Sequence, residues 1–400
     1  MRTASLILVI GTLTVAGVPA LSCAQGRGGG PEATIKPGEE CPAGMTEVRP
    51  NRCQAPQIAP PSILDYRPHS TLVAVEHKVP KAKYPAIDFH GHPQALLNSA
   101  EGLASLKASM DSLNLGLMIA AENQSGDRLT RTLSLVNASP LKGRVAVFTG
   151  IDMQNVGPGW AERAVSRLEA DIKAGAVGVG EIGKQFGQTV RKANGQRLRL
   201  DDPELDPIWE AAARLGVPVF IHTADPAEFY KPMDMHNERW LELALFPGRR
   251  IAEGQVPFDS LMAERDNLFR RHPKTIFIAA HLGWQANDLA KLGKLLDLPN
   301  VYTEVGAVLY DIGRQPRAAH DFFIKYQDRI LFGKDSFQPE EYPYYWRVFE
   351  TRDDYFDYYR DYHAYWKLYG IDLPDEVLKK VYYKNALKIT KGLPQAGWPK

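Results

Sequence analysis

The chain has 400 residues, with 48 lysines and arginines against 47 aspartates and glutamates, a formal net charge of +1. A balance this even gives no electrostatic case for nucleic acid or an anionic membrane surface as partner. A small-molecule substrate is expected instead.

Met1-Arg2 is a short basic start, Ala4 to Ala20 is an apolar run broken by Gly, Thr and Pro, and Ser22-Cys23-Ala24 is a small-x-small site. This pattern predicts a signal peptide over residues 1–24, cleaved before Gln25, and an exported protein, periplasmic or secreted. The run is short and lacks a basic stop-transfer flank, so no membrane span is expected. Acylation of Cys23, giving a lipoprotein, stays open. Cys41 and Cys53 are then the two cysteines left, and in an oxidising compartment they most simply pair as one disulfide. Residues 25–80, rich in Gly, Pro and charge, read as a linker and an irregular, disulfide-stapled extension.

Residues 81–400 read as one domain. From Tyr84 short apolar runs alternate with helical patterns, the signature of repeated β-α units. The runs are Pro85 to His90, Leu115 to Ala121, Val145 to Ile151, Val177 to Ile182, Val217 to His222, Ile276 to His281, Val301 to Val305 and Ile330 to Asp335. Between them Leu103, Leu106, Met110 and Leu113 recur at helical spacing, as do Ala161, Val165, Leu168 and Ile172. A helix over Pro203 to Leu215 opens with acids beside prolines and stops at Gly216. Eight such units over about 250 residues fit an α/β fold, a (β/α)8 TIM barrel with an irregular N-terminal extension and a C-terminal helical segment. A doubly wound open sheet fits less well, because Gly91-His92-Pro93 follows the first run where a Gly-rich phosphate loop would stand.

The ends of those runs carry the chemistry. The first ends in Asp88-Phe89-His90-Gly91-His92, and alternation along a strand sends both imidazoles out of the same face. His222, His281 and Asp335 each end a run of their own. In a barrel the C-terminal strand ends converge on one mouth, so residues distant in sequence would meet there. Neutral imidazoles with a carboxylate suit one borderline divalent ion, Zn²⁺ first, with Mn²⁺, Fe²⁺ or Co²⁺ open. Glu181 and Lys184, at the end of the fourth run, are candidates for a second metal or for substrate, against a plain salt bridge at the mouth. Glu304, in Tyr302-Thr303-Glu304-Val305, reads as structural or substrate-contacting.

The pattern resembles the amidohydrolase superfamily, most closely the amidohydrolase-related branch that also holds aminocarboxymuconate-semialdehyde decarboxylase-like proteins. The resemblance runs from Tyr84 to Ile389 through Asp88-Phe89-His90-Gly91-His92, Ile221-His222-Thr223-Ala224-Asp225, Ala280-His281-Leu282-Gly283, Gly333-Lys334-Asp335-Ser336 and Tyr383-Lys384-Asn385-Ala386. It implies His90, His92, His222 and Asp335 as metal ligands and His281 as an acid/base and oxyanion-stabilising residue, with Asp335 also catalytic as proton acceptor. Glu181 looks like the carboxylate that bridges two metals in TatD-like nucleases. The activity implied is hydrolysis of a C–N or ester-like bond through a metal-activated water. Its rivals are a non-oxidative decarboxylase on the same site, with Lys184 or Lys334 holding a substrate carboxylate, and a metal-bearing barrel without turnover. Oligomeric state stays open, a homo-oligomer included.

Two later segments are expected to shape the pocket. Asp225 to Pro257, with Tyr230, Met233, Met235, Trp240 and Pro247, is a long insertion on the side where active-site loops sit. Thirteen aromatic residues crowd into 342–369, where core packing is the simpler reading and a stacking platform for substrate the sharper one. A terminal helix is expected over Leu373 to Ile389.

Overall fold

A computed structural model describes residues 30–399. The expected signal peptide and Cys23 therefore lie outside the described residues. The chain divides into two compact units between Leu72 and Val73.

The smaller unit is more regular than its composition predicts. Glu32–Thr34, Arg52–Gln54 and Thr46–Arg49 form a three-stranded antiparallel sheet in that order. Asn51, at φ 64°, turns the chain between the last two, a left-handed position that asparagine tolerates. Cys41 and Cys53 form the expected disulfide, with Cα atoms 5.7 Å apart. Almost every other side chain of this sheet is exposed or half-buried, so there is little apolar burial to hold it. A covalent loop of this size is worth about 3 kcal/mol in the chain-entropy view, and that bond is the main staple.

The larger unit contains eight strands, β1 (Ala86–His92), β2 (Leu115–Gln124), β3 (Val145–Thr149), β4 (Val179–Ile182), β5 (Val219–Ile221), β6 (Phe277–Ala279), β7 (Val301–Glu304) and β8, which comes in two pieces, Ile330–Leu331 and Asp335–Ser336. Every neighbouring pair is parallel and follows chain order. The first piece of β8 pairs with β7, Ile330 opposite Thr303, and the second with β1, Asp335 opposite Gly91. Phe89 N donates to Phe332 O at 2.9 Å between the two pieces. The sheet thus returns on itself as a (β/α)8 barrel. Phe89, Phe148 and Phe220 come from the alternate strands β1, β3 and β5. Their rings meet edge to face, Phe89 at 5.4 Å from Phe148 and 6.0 Å from Phe220, a contact that crosses the interior because β1 and β5 stand on opposite sides. This is the layered filling that makes such a barrel a packed core.

The helical layer follows the predicted periodicity. Helix Ala100–Leu113 buries Leu103, Leu106, Met110 and Leu113, is capped by the Ser99 side chain on Gly102 N and ends at Asn114 with φ 59°. The helix predicted over 203–215 is a 3₁₀ turn, Pro203–Leu205, followed by Asp206–Leu215, and Gly216 closes it in the left-handed region. Most of the aromatic segment packs as core, with Tyr342, Tyr345, Trp346 and Phe349 buried and Trp346 4.6 Å from Phe332. The terminal helix starts at Asp375 and widens to a π turn over Lys380–Lys384. There Asn385 N reaches back to Lys380 O, which leaves Val381 O to accept from Phe332 N at 2.8 Å. Asn385 Nδ2 adds bonds to Gln327 O and Ile330 O at 2.7 and 2.8 Å. The last helix therefore fastens β8 where its ladder is interrupted. Among the described residues no helix is long and apolar enough to cross a membrane.

Candidate metal centre

The β1–β2 register slips between Asp88 and Gly91. This bulge takes β1 off strict alternation, and Phe89 and His90 both touch Phe220, at 6.0 and 4.6 Å. His90 and His92 nevertheless face one point, because Glu181 on β4 lies between them. His90 Nε2 is 3.4 Å from Glu181 Oε1, and His92 Nε2 is 3.3 Å from Glu181 Oε2. His222, directly after β5, sets Nδ1 2.7 Å from Glu181 Oε1. Asp335, on the second piece of β8, stands further out, with Oδ1 3.9 Å from His90 Nε2 and 3.8 Å from His92 Nε2 and its side chain 33% exposed.

Glu304, at the end of β7, supports this group from below. Its Oε1 accepts from His90 Nδ1 at 3.0 Å and from His281 N at 2.6 Å, and its Oε2 accepts from Gly306 N. The bond to His281 N also explains why β6 stops short, since that N–H leaves the ladder for a carboxylate. His281 Nδ1 donates to Gly306 O at 2.8 Å. A carbonyl only accepts, so the ring proton sits on Nδ1 and the Nε2 lone pair faces inward, 3.3 Å from His222 Nδ1. Gly333 lets the strands close here, because a Cβ on it would stand 2.6 Å from Glu304 Oε2 and 2.8 Å from His90 Cβ.

Charge is strongly coupled. Burial alone would lower His90, but Glu181 and Glu304 outweigh it and raise the imidazole well above its ordinary value. Burial would raise Glu181, yet His90 and His222 hold it well below the usual range. Burial, followed by the charge of His222, drives His281 down to about 4. Asp335 is lowered, with His90 and His281 overcoming burial. His281 and Asp335 both adopt left-handed backbone, φ 58° and 77°, a conformation that costs about 1–3 kcal/mol per residue and clusters at working sites.

The donor set fits a divalent cation. His90 Nε2 is buried and has no hydrogen-bond partner, while Nδ1 is already spent on Glu304. Two ligands about 2.1 Å from a tetrahedral ion stand about 3.4 Å apart, the spacing seen from Glu181 to both His90 and His92. The 2.7 Å from Glu181 to His222 is a hydrogen bond, and His222 Nε2 accepts from Trp284 Nε1 at 3.2 Å. Two further groups, His90 with His281 and Glu304, and Glu181 with His222 and His281, also hold their ligand atoms within 4.8 Å of one another.

The sequence-predicted residues are thus brought together, with Glu181 more central and Asp335 more peripheral than expected. Lys184 is engaged by Asp225 at 2.8 Å and Lys334 by Glu341 and by Ser336 O. Two supports escaped sequence reading. Asp88, buried, accepts from His90 N at 3.0 Å, from Lys334 N at 3.1 Å and from Tyr342 OH at 2.6 Å, and Trp284 reaches the site from the turn after β6. Asp88 could have been suspected as a carboxylate in an apolar strand, but Trp284 carries no such signal. Within the insertion after β5 the chain makes short helical turns around an open groove of about 480 Å³, lined by Tyr230, Met233, Arg250, Ile251 and Phe258 among others.

Fold and site together define a metal-binding (β/α)8-barrel enzyme of the hydrolase or lyase type. The chain belongs to the amidohydrolase family, whose model, described as Amidohydrolase, matches residues 118–389. Strand β1, with His90 and His92, precedes the matched span. No curated protein matches the sequence. Among solved structures it is similar to an uncharacterized TIM-barrel protein from Bordetella bronchiseptica, with 15% identity over 76% of this chain and 98% of that one and a TM-score of 0.48. An amidohydrolase from Burkholderia multivorans shares 15% identity over 78% and 100% of the two chains, TM-score 0.44. The 4-oxalomesaconate hydratase of Rhodopseudomonas palustris shares 13% over 77% and 96%, TM-score 0.43.

Proposed function

We propose that the protein is an exported, metal-dependent hydrolase that opens a C–N or ester-like bond of a small molecule. The observation that carries this reading is the gathering of Glu181 and Asp335 around a buried His90 Nε2 that has no hydrogen-bond partner, with His92 on the other oxygen of Glu181 and His222 bonded to that carboxylate. His90, His92, Glu181 and Asp335 would hold the ion, with His222 joining them on giving up one of its two present hydrogen bonds; zinc is the best fit to the donors, and manganese, iron or cobalt are also compatible. When bound, a divalent ion supplies Lewis acidity and brings the pKa of a coordinated water to about 7. The remaining steps fall to the chain itself. Asp335, held ionised and partly open to solvent, takes the proton of the attacking water. His281, held neutral with its proton locked on Nδ1, offers Nε2 to the proton that must reach the leaving group. The disulfide supports an oxidising compartment.

A decarboxylase on this site would want a basic residue for a substrate carboxylate, and both nearby lysines are already paired. The deciding experiment joins metal analysis to a screen of amides, lactones, esters and aromatic carboxylates. Turnover of one of the first three, abolished by a chelator and restored by zinc or manganese, is expected. Turnover confined to aromatic carboxylates with release of CO₂ would replace this reading by the decarboxylase.

A further inference from the structure

His281 sits in a turn that residues with a Cβ avoid. His281, Leu282, Gly283 and Trp284 all have positive φ, 58°, 49°, 60° and 52°, a left-handed turn in which glycine relieves one position of four. Left-handed helical backbone is disfavoured for residues with a Cβ and persists only when its surroundings over-determine it. Inside the turn the bonds are few, with Gly283 N on Ala280 O and Gln285 N on Leu282 O.

The restraint comes from another element. Arg265, fully buried on the helix Phe258–Arg271, donates through Nη1 to Gly283 O at 2.8 Å and through Nη2 to the Gln285 Oε1 at 3.3 Å. Asp266 Oδ1 holds the guanidinium in turn, at 3.0 Å from Nε and 2.8 Å from Nη2. The approach is close enough that a Cβ on Gly283 would stand 2.9 Å from Nη1. Two side chains that meet the metal centre leave from this turn. His281 points Nε2 at His222, and Trp284 donates to the far nitrogen of the same ring, the His281 and Trp284 rings lying 4.5 Å apart.

We propose that Arg265 is a positioning residue for the reaction: by pinning the Gly283 carbonyl it sets the left-handed turn, and with it the aim of His281 and the hold of Trp284 on His222. The inference rests on the catalytic reading of His281. A lysine could reach one of these acceptors but has no planar fork to serve all three.

The test uses the full chain, loaded with zinc, as wild type, Arg265→Met, Arg265→Lys, Gly283→Ala and the double variant Arg265→Met/Gly283→Ala. Imidazole and indole nitrogen resonances are recorded, with His281 and Trp284 assigned through His281→Asn and Trp284→Phe, and kcat and KM are measured on a substrate from the screen. Arg265→Met should keep its zinc and its cooperative unfolding, move the His281 and Trp284 resonances, and lower kcat by about 10²-fold with KM changed far less. Arg265→Lys should recover part of that loss. Gly283→Ala should reproduce the effect, and the double variant should fall no further than the worse single one, because both act through one contact. Should Arg265→Met fail to fold, Gly283→Ala carries the same readouts. Wild-type resonances in the folded variants, or lowered stability with kcat unchanged, would overturn the proposal. Absence of any turnover by wild type counts against the hydrolase reading alone, since the resonances still decide the role of Arg265.

Discussion

His281 and Asp335 share an unusual backbone conformation and differ in what holds them. His281 is fully buried, with Nδ1 on Gly306 O and its backbone N–H on Glu304. Asp335 is a third exposed and reaches the two β1 histidines only at 3.8 and 3.9 Å. Loss of the two side chains should therefore read differently. His281→Asn is expected to keep the metal while lowering turnover by about 10² or more, the range for a positioned acid/base group. Asp335→Asn should lower turnover and loosen the metal as well, since the role proposed for its carboxylate is both proton acceptor and donor to the ion. Parallel metal analysis and kinetics on any hydrolysed substrate check this, and a His281→Asn enzyme working at the wild-type rate with full metal would return His281 to a structural role. Glu304 belongs with neither, because all its bonds go to the chain and not to the space where substrate would lie.

At the level of the strands, barrel closure and site assembly are the same event. The gap in β8 between Leu331 and Asp335 is bridged by Asp88, whose Oδ1 accepts from Lys334 N on β8 and His90 N on β1, and by Tyr342 OH on its other oxygen. Asp88→Ala leaves three buried donors without a partner, at about 1–3 kcal/mol each. It should lower the unfolding free energy by about 3 kcal/mol or more and loosen metal binding with it, measured by denaturant titration and by competition with a chelator. Unchanged stability would mean that the clamp does nothing. The strands themselves were legible because runs buried on both faces are almost continuously apolar. Their ends were less so. Val217 to His222 shortens to Val219–Ile221, and Ile276 to His281 to Phe277–Ala279, since ends are decided by which acceptor takes the last N–H, and for His281 that acceptor is Glu304 on the next strand. The residues that meet at the barrel mouth could be read because barrel topology turns strand ends into neighbours. Trp284 and Arg265 could not, and Asp88 only as a carboxylate in an apolar strand, because their partners are set by side-chain reach across elements, as with Asp88 and Lys334, 246 residues apart.

In the larger unit as a whole, a buried charge network joins three loops that leave the barrel at the same end as the metal centre. Arg239 and Glu242 follow β5, Tyr310 and Asp311 follow β7, and His363 follows β8. Glu242 Oε2 accepts from Arg239 Nε at 2.7 Å and Oε1 from Arg249 Nη1 at 2.6 Å, with His363 Nε2 3.2 Å away, and Arg239 lies over the Tyr310 ring at 4.4 Å. Burial would raise Glu242, but His363 and Arg239 hold it at about 2, below the usual 4.5. Its contribution is present above pH 4.5 and is lost as pH falls from there toward 2. Burial drives His363 down to about 4 and Asp311 up to about 7. The unfolded chain thus binds the extra proton at His363, and the folded chain at Asp311, so over roughly pH 4 to 6.5 their slopes oppose and nearly cancel. The share of acid stability that this network supplies should therefore hold nearly level to about pH 4.5 and then fall. In unfolding measurements across pH, Glu242→Gln should flatten the fall and Asp311→Asn should expose the His363 slope above it. An acid limb unchanged in Glu242→Gln would remove this network from the account. The convergence of the strand ends on a metal is the claim on which the rest depends, and metal content of the purified full-length protein tests it most directly, wild type beside His90→Ala and Glu181→Ala. About one divalent ion per wild-type chain, mostly lost from both variants, is the predicted result; wild-type metal content in both variants would contradict it.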